Sequence, residues 1–280
     1  MTVGRALADA EQRLAAAGVP TPRVDAELLL RHVTGWSRTR LVFDADAAVP
    51  TDAQVQLEPL LRRREHREPL QLILGTVGFR YVELEVRAGV FIPRPETEVL
   101  AGEAIARVPA GGVVVEPCTG TGAIACSVAF ESAAATVVAT DVSAQAVELA
   151  RANAQRVAVD VTVLAGDLLD PVDQALRGRV DVLVSNPPYL TPGEVAAGEP
   201  EVAAWDPPAA LVAGSTGHEI TDRLIRDAGT WLRPGGWLLL EVDSSRATDT
   251  AQRADDAGLV EAAVLADLTG ADRIVIARHP

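Results

Sequence analysis

Lysine is absent from this 280-residue chain, and all 25 cationic side chains are arginine. With the alanine excess, that reads as a compositional bias and not as a functional signal. Cations are also outnumbered. Against 39 acidic residues they leave a formal net charge of −14. This argues against the basic stripe that a phosphate-backbone partner requires. Cysteine is nearly missing: Cys118 and Cys126 sit in one loop–helix segment, show no metal spacing, and fit a reducing cytoplasm. No apolar run reaches the roughly 18 residues of a membrane span. Residues 1–11 carry Arg5, Asp9 and Glu11 and lack an apolar core, so no signal peptide is expected. His32, His66, His218 and His279 have no triad or metal company and are expected to be structural or exposed. There is no internal repeat.

What remains is an ordinary globular composition, 48% hydrophobic, long enough for one large and one small domain. Apolar spacing predicts helices over 5–17 and 25–33, separated by Pro20 and Pro22, and a third from a Thr51 cap through Arg64. The cluster Arg62-Arg63-Arg64 is interrupted by Glu65 and reads as a solvated helix face. Residues 76–90 read as a β-hairpin, with Val82, Leu84 and Val86 alternating on one face. Beyond about residue 92, strand and helix alternate. Strands are expected near 113–116, 136–140, 161–164, 180–185, 236–242 and 273–278, and helices near 123–130, 143–155, 219–232 and 245–257. That alternation argues a parallel α/β sheet with ligands at the carboxyl ends of its strands. The boundaries expected are 1–75 for a helical domain, 76–91 for the hairpin linker and 92–280 for the α/β domain.

The most informative segment is Asn186-Pro187-Pro188-Tyr189. It follows a buried-strand run. Asn186 precedes a proline and is held extended. Two prolines in series fix φ twice and remove two donors, leaving a stiff corner rich in acceptors. Tyr189 adds a flat face. Such a corner suits a planar N–H2 group, whether an amide or an exocyclic base amine. Upstream, Glu116-Pro117-Cys118-Thr119-Gly120-Thr121-Gly122 joins a strand to a helix, and Asp141 ends the following strand. Glycines in such a turn admit a ligand close to the backbone, and an acidic residue at the second strand end takes ribose hydroxyls. Gly120-Thr121-Gly122-Ala123-Ile124-Ala125 formally matches the dinucleotide pattern. Four residues led by the carboxylate Glu116 intervene before the first glycine, however. A carboxylate there suits the sulfonium and ammonium of S-adenosylmethionine better than a pyrophosphate.

Taken together, Glu116, Cys118, Gly120, Gly122, Asp141, Gly166-Asp167 and the Asn186-Pro187-Pro188-Tyr189 corner resemble class I methyltransferases acting on planar amino or amide nitrogens. Phe91-Ile92-Pro93-Arg94-Pro95-Glu96-Thr97-Glu98 narrows the resemblance to the HemK/PrmC family, the glutamine-N5 methyltransferases of peptide chain release factors. Glu68-Pro69-Leu70-Gln71, the stretch from Thr21 to Leu30, and Asp267-Leu268-Thr269-Gly270-Ala271-Asp272-Arg273 are similar to other parts of that family. Departures are Cys118 in place of the family's first glycine, and Leu168 where an aromatic residue often stands.

The resemblance implies a Rossmann-like, mostly parallel seven-stranded sheet with a small N-terminal helical domain and a hairpin connector. It implies S-adenosylmethionine as methyl donor, S-adenosylhomocysteine as product, and no metal. Cofactor contacts fall to Glu116, Pro117, Cys118, Thr119, Gly120, Gly122, Asp141, Asp167, Leu168 and Asn186. Substrate contacts fall to Asn186, Pro187, Pro188 and Tyr189, and the catalytic role to Asn186, Pro187 and Tyr189. The expected partner is a release factor presenting a Gly-Gly-Gln loop, docked on residues 1–75. A cytoplasmic monomer with no nucleic-acid or membrane partner is expected. The competing readings are a methyltransferase of the same family acting on another protein, a small molecule or a nucleic-acid amine, the last lacking here its basic face, and a nicotinamide oxidoreductase or catalytically silent nucleotide-binding module.

Overall fold

The structure is a computed structural model describing residues 1–134 and 136–280, with Pro200 described by its backbone alone. The chain divides into two compact units, Met1–Gly75 and Thr76–Pro280. The first is all helical: α1 (Val3–Ala16), α2 (Pro22–Thr34), α3 (Arg38–Phe43), α4 (Thr51–Glu65) and α5 (Leu70–Leu74). Leu7, Leu14, Leu29, Leu30, Leu57 and Leu61 close its core. Pro22 does not only separate helices; it is the first residue of α2, where the missing N–H removes no helical hydrogen bond. Thr51 likewise is the first residue of α4 and Pro50 its cap, with no side-chain capping bond.

The arginine run of α4 departs from the sequence expectation. Arg62 bonds Glu58 at 2.9 Å and Arg63 bonds Glu68, both at the surface. Arg64 points inward. Its Nε lies 2.7 Å from Asp25 Oδ2, with side chains 4% and 5% exposed. Thr21 Oγ1 donates to the other Asp25 oxygen, and Arg64 Nη1 donates to the Glu68 carbonyl. A charge so buried persists only when paired and hydrogen-bonded. Helical phase, one turn back towards Leu57 and Leu61, is what turns this arginine inward.

The second unit opens with the hairpin β1 (Thr76–Phe79) and β2 (Val82–Glu85), whose Val82 and Leu84 are buried. Next come α6 (Thr97–Arg107), β3 (Val113–Pro117), α7 (Ala123–Glu131), β4 (Thr136–Asp141), α8 (Ala144–Val157), β5 (Thr162–Ala165) and β6 (Val180–Ser185). After β6 lie three short helices, α9 (Pro192–Ala197), α10 (Pro200–Trp205) and α11 (Pro208–Leu211). Then follow α12 (Glu219–Trp231), β7 (Leu232–Glu241), α13 (Ala247–Asp256), β8 (Val260–Ala266) and β9 (Asp272–Arg278). The sheet order is β5-β4-β3-β6-β7-β9-β8. Its first five strands are mutually parallel, and β9 runs antiparallel to both neighbours.

Alternate residues of each strand face opposite layers. Val114, Val182 and Val184 pack on the side of α6 and α7, with Leu100, Ile124 and Val128. Val115, Leu183, Leu238 and Leu240 pack on the other side with Leu224 and Trp231. Every residue of β6 is buried, which is why Val182-Leu183-Val184 reads as a continuous apolar stretch rather than an alternation. Strand β8 was not legible by periodicity. Its Val-Glu-Ala-Ala-Val-Leu-Ala sequence is alanine-rich and half exposed at the sheet edge, and pairing with β9 alone makes it a strand. Strand β7 begins before the predicted 236, crossing Pro234-Gly235-Gly236 where its register against β6 shifts. Among the described residues, no helix is long and apolar enough to cross a membrane.

Candidate functional site

The carboxyl ends of β3, β4, β5 and β6 carry Glu116, Asp141, Asp167 and Asn186. These four residues share the wall of one cavity of about 550 Å³ in the second unit, within the usual range of small-molecule sites. Cys118, Thr119, Gly120, Leu168, Pro187, Pro188 and Tyr189 line it too, as do Phe91, Pro93, Arg94 and Thr97 from the proline–arginine–proline segment. Pro117 and Gly122 are not part of this wall, contrary to expectation. The Pro117 carbonyl accepts from Ser185 Oγ at 2.7 Å, joining β3 to β6 behind the cavity. Gly122 is the cap of α7 with φ 80, and a Cβ there would meet Ala150 at 3.1 Å. Both shape the turn whose other residues line the cavity.

Glu116 also takes a structural part beyond the one its sequence position implied. Only 2% exposed, it turns Oε2 back to accept from Thr119 Oγ1 and from the Ala125 backbone N–H, both at 2.8 Å. It thereby occupies an N–H of the first turn of α7 that would otherwise be free for a ligand. Burial pushes this carboxyl up to about 8, and the two hydrogen bonds only partly offset it. The loop is fixed from behind as well. Buried Asn153 of α8 donates to the Thr121 carbonyl at 2.9 Å and makes two bonds with the Glu85 backbone, tying the hairpin to the glycine turn.

Two wall residues hold positive φ without being glycine: Cys118 at 60° and Leu168 at 47°. Left-handed backbone at such residues costs on the order of 1–3 kcal/mol. Cys118 thus adopts the conformation for which the family's glycine is suited. Its neighbour Thr119 donates a backbone N–H to the Thr140 carbonyl, and the Leu168 carbonyl accepts from Thr140 Oγ1 at 2.6 Å. Its apolar surroundings push the Cys118 thiol up to about 12, keeping it in the neutral form.

Asp141 accepts from the Gly120 N–H on one oxygen and from the Ser143 N–H on the other, both at 2.9 Å. Each carboxylate oxygen retains a second lone pair, so the residue remains able to take hydroxyl donors. Asp167 pairs through Oδ2 with Arg223 at 2.6 Å, in a partly exposed setting. Six carboxyls (Glu116, Asp141, Asp167, Glu194, Glu199 and Asp243) share the wall with two arginines, Arg94 and Arg273. Even with Glu116 largely protonated near neutral pH, that balance suits a cationic ligand and opposes a polyphosphate.

The Asn186 corner is braced on both sides. Asn186 Nδ2 donates to Thr97 Oγ1 at 3.2 Å, turning Oδ1 away from that bond. Leu190 pairs with the end of α11 and the segment after it, donating to Leu211 and accepting from Ala213. Desolvation raises the Tyr189 phenol well above the usual range, so it acts as a neutral ring. Arg94 forms an ion pair with Asp206 and stacks 5.1 Å from the Phe91 ring, while the Ile92 N–H donates to the other Asp206 oxygen. The loop around Trp205-Asp206-Pro207-Pro208 is therefore a partner of the Arg94 segment. Asp206 and Thr97 lie inside segments that the sequence marks, residues 205–208 as a rigid loop that could wall the groove and residues 91–98 as a loop closing over it, but neither is picked out there as an individual site residue, and Glu241 is not marked at all. The available signals were an aspartate between tryptophan and two prolines, and a glutamate ending the apolar run Trp237-Leu238-Leu239-Leu240. His218 is 8% exposed, with Nε2 3.2 Å from Asp249 and no part in the cavity wall.

Residues 5–75 match the PrmC N-terminal domain and residues 96–205 the methyltransferase small domain. The chain is 42% identical over 277 residues to the release factor glutamine methyltransferase of Mycolicibacterium smegmatis, covering 97% of this chain and 96% of that protein. It is 41% identical over 276 residues to the protein of the same name from Deinococcus radiodurans, covering 98% and 97%. Among solved structures, a methyltransferase from Pyrococcus furiosus superposes with a TM-score of 0.52 at 22% identity, covering 70% of this chain and 87% of that one. The T. thermophilus 16S rRNA N2 G1207 methyltransferase superposes with a TM-score of 0.51 at 18% identity, covering 73% and 50%. At those identities the superpositions establish the class I methyltransferase fold, whereas the near full-length identities above 40% establish kinship: the chain belongs to the release factor glutamine methyltransferase family.

Proposed function

We propose that this protein transfers a methyl group from S-adenosylmethionine to the N5 side-chain amide nitrogen of a glutamine, in the Gly-Gly-Gln loop of peptide chain release factors. The observation that carries this reading is the braced Asn186 corner facing the same acidic cavity as Glu116, Asp141 and Asp167. When bound, S-adenosylmethionine supplies an activated methyl group on a sulfonium. The residues present fit it. The wall is acidic, Gly120 lets a ligand approach the backbone, and Asp141 keeps lone pairs for hydroxyl donors.

A glutamine amide is a weak nucleophile because its lone pair is delocalised. Asn186 Oδ1 and the Pro187 carbonyl would accept its two N–H groups, orient the nitrogen and favour charge build-up on it. The prolines keep both acceptors fixed before substrate arrives. Neutral Tyr189 holds the plane of the amide. Glycines flanking the glutamine allow a backbone to enter a narrow slot. The helical unit of residues 1–75, which this chemistry does not require, serves to dock the folded release factor and adds remote binding energy.

The test is incubation of the purified protein with labelled S-adenosylmethionine and a purified release factor, followed by peptide mass mapping. One methyl on the glutamine of the Gly-Gly-Gln peptide is expected. A methyl on another residue, or none, overturns the substrate assignment. Thermal stabilisation by NAD and not by S-adenosylmethionine overturns the cofactor assignment.

A further inference from the structure

Asn186 serves an amide substrate in only one of its two orientations. With oxygen towards the cavity it accepts an N–H; with nitrogen there it opposes one donor with another. The selection is made outside the corner. Nδ2 donates to Thr97 Oγ1 at 3.2 Å. Thr97 is the first residue of α6 and 4% exposed, and its hydroxyl stands close enough to the Glu241 carboxyl to favour its ionised form. Sheet register explains why the three meet. Ser185 of β6 pairs with Leu240 of β7, so the next residues, Asn186 and Glu241, stand at one level on adjacent strands. Glu241 is 3% exposed, and its Oε2 has no hydrogen-bond partner among the described residues. A carboxyl so placed is costly to the fold. The charged or titratable groups around it are Arg273 on β9, Glu96 before α6, Asp267 in the turn after β8, and Tyr189 after β6.

We propose that Thr97 and Glu241 are positioning residues that hold the Asn186 amide with its oxygen turned to the cavity. A carboxylate that accepts from the Thr97 O–H polarises that oxygen and makes it a stronger acceptor for Nδ2. Donation from Nδ2 in turn increases the negative charge on Oδ1, a cooperative effect along the chain of bonds. Neither Thr97 nor Glu241 needs to touch the substrate. Glu241 is raised to about 7 by burial, so its carboxylate form, and with it the full effect, is reached only as pH rises through neutrality. The consequence for rate rests on the amide-methylation reading above, whereas the orientation itself belongs to the free protein.

Three variants test it. Thr97→Val removes the hydroxyl at nearly constant shape, Thr97→Ser restores it, and Glu241→Gln removes the charge alone. In the free protein, NMR should show the Asn186 side-chain amide protons protected from exchange in the wild type and in Thr97→Ser, and exposed in Thr97→Val. With release factor and saturating S-adenosylmethionine, kcat of Thr97→Val should fall about 10–100-fold, the scale of lost supporting bonds. KM and cofactor affinity should stay within about twofold, the pattern of an interaction used in the transition state. Thr97→Ser should recover most of the rate, and Glu241→Gln should lose the rise of kcat between pH 6 and about 8. A Thr97→Val protein with wild-type kcat, or with the Asn186 amide still protected, overturns the proposal. So does a Glu241→Gln protein that folds and keeps the wild-type pH profile. If the wild type fails to methylate a release factor while the exchange pattern appears as described, the substrate reading falls and the positioning inference stands.

Discussion

Replacing Glu116 by glutamine separates the structural work of that side chain from its charge. Oε2 accepts from Thr119 Oγ1 and the Ala125 N–H, both at 2.8 Å, and a glutamine oxygen can accept both. The tie to α7 therefore survives and only the titration is lost. Burial holds this carboxyl at about 8, above its unfolded value near 4.5. The folded state thus binds the proton more tightly. The resulting stabilisation is complete below about 4.5 and is lost as pH rises through about 8. From pH 5.5 to 8.5 the ligand-free wild type should lose stability by about 3 kcal/mol relative to Glu116→Gln. Glu241, raised to about 7, titrates with the same sign in both proteins, so the difference between their denaturation curves isolates Glu116. Binding gives the second readout. A cationic ligand in the cavity favours the ionised form and expels the proton. With the free carboxyl at about 8, the ionised fraction is about 1% at pH 6 and about half at pH 8, so S-adenosylmethionine affinity should rise about 50-fold across that range. Calorimetry at several pH values would measure it, and the glutamine variant should show no such rise. Parallel stability–pH curves for the two proteins would refute the burial argument. A wild-type affinity that is flat with pH would refute the counter-ion role.

Asn186→Ala should lower methyl transfer about 10²–10³-fold, with cofactor affinity and melting temperature nearly unchanged; near-normal turnover would make the corner a structural turn only. Arg94→Ala leaves the 4%-exposed Asp206 without its cation. It should destabilise by about 1–3 kcal/mol, with faster hydrogen exchange in residues 91–96 and 205–208; unchanged exchange there would dismiss the clamp. Asp25→Ala removes the buried carboxylate that faces Arg64 and should cost about 3–5 kcal/mol, seen as lost exchange protection within residues 1–75. An unaltered helical unit would mean that Arg64 finds water.

Local chemistry made much of the fold legible before any coordinates. The apolar run ending at Ser185, the glycine turn after Pro117 and the alternation of strand and helix each carry their geometry within a few residues, and the sheet followed. Asp141 and Asn186 could be placed at strand ends because a strand's end is itself a local signal. Strand β8 escaped because nothing local favours extension in an alanine-rich edge; only β9 beside it does. Arg64 escaped because three consecutive arginines look alike in sequence, while helical phase sends one of them to Asp25.

The boundary between the two kinds of knowledge runs through the site. Sequence alone placed Glu116, Asp141, Asp167 and the Asn186 corner along one edge of the sheet, since proline, glycine and the strand-ending carboxyls act on their own backbone. Tertiary structure alone decided what those residues do to one another. It turned Glu116 into the tie on α7, gave Arg94 to Asp206, and set Thr97 and Glu241 behind Asn186. Each of these couplings joins residues brought together by packing or sheet register, mostly far apart in the chain. Their energies depend on desolvation and on distances near 3 Å, which side-chain type does not specify and only the folded packing supplies.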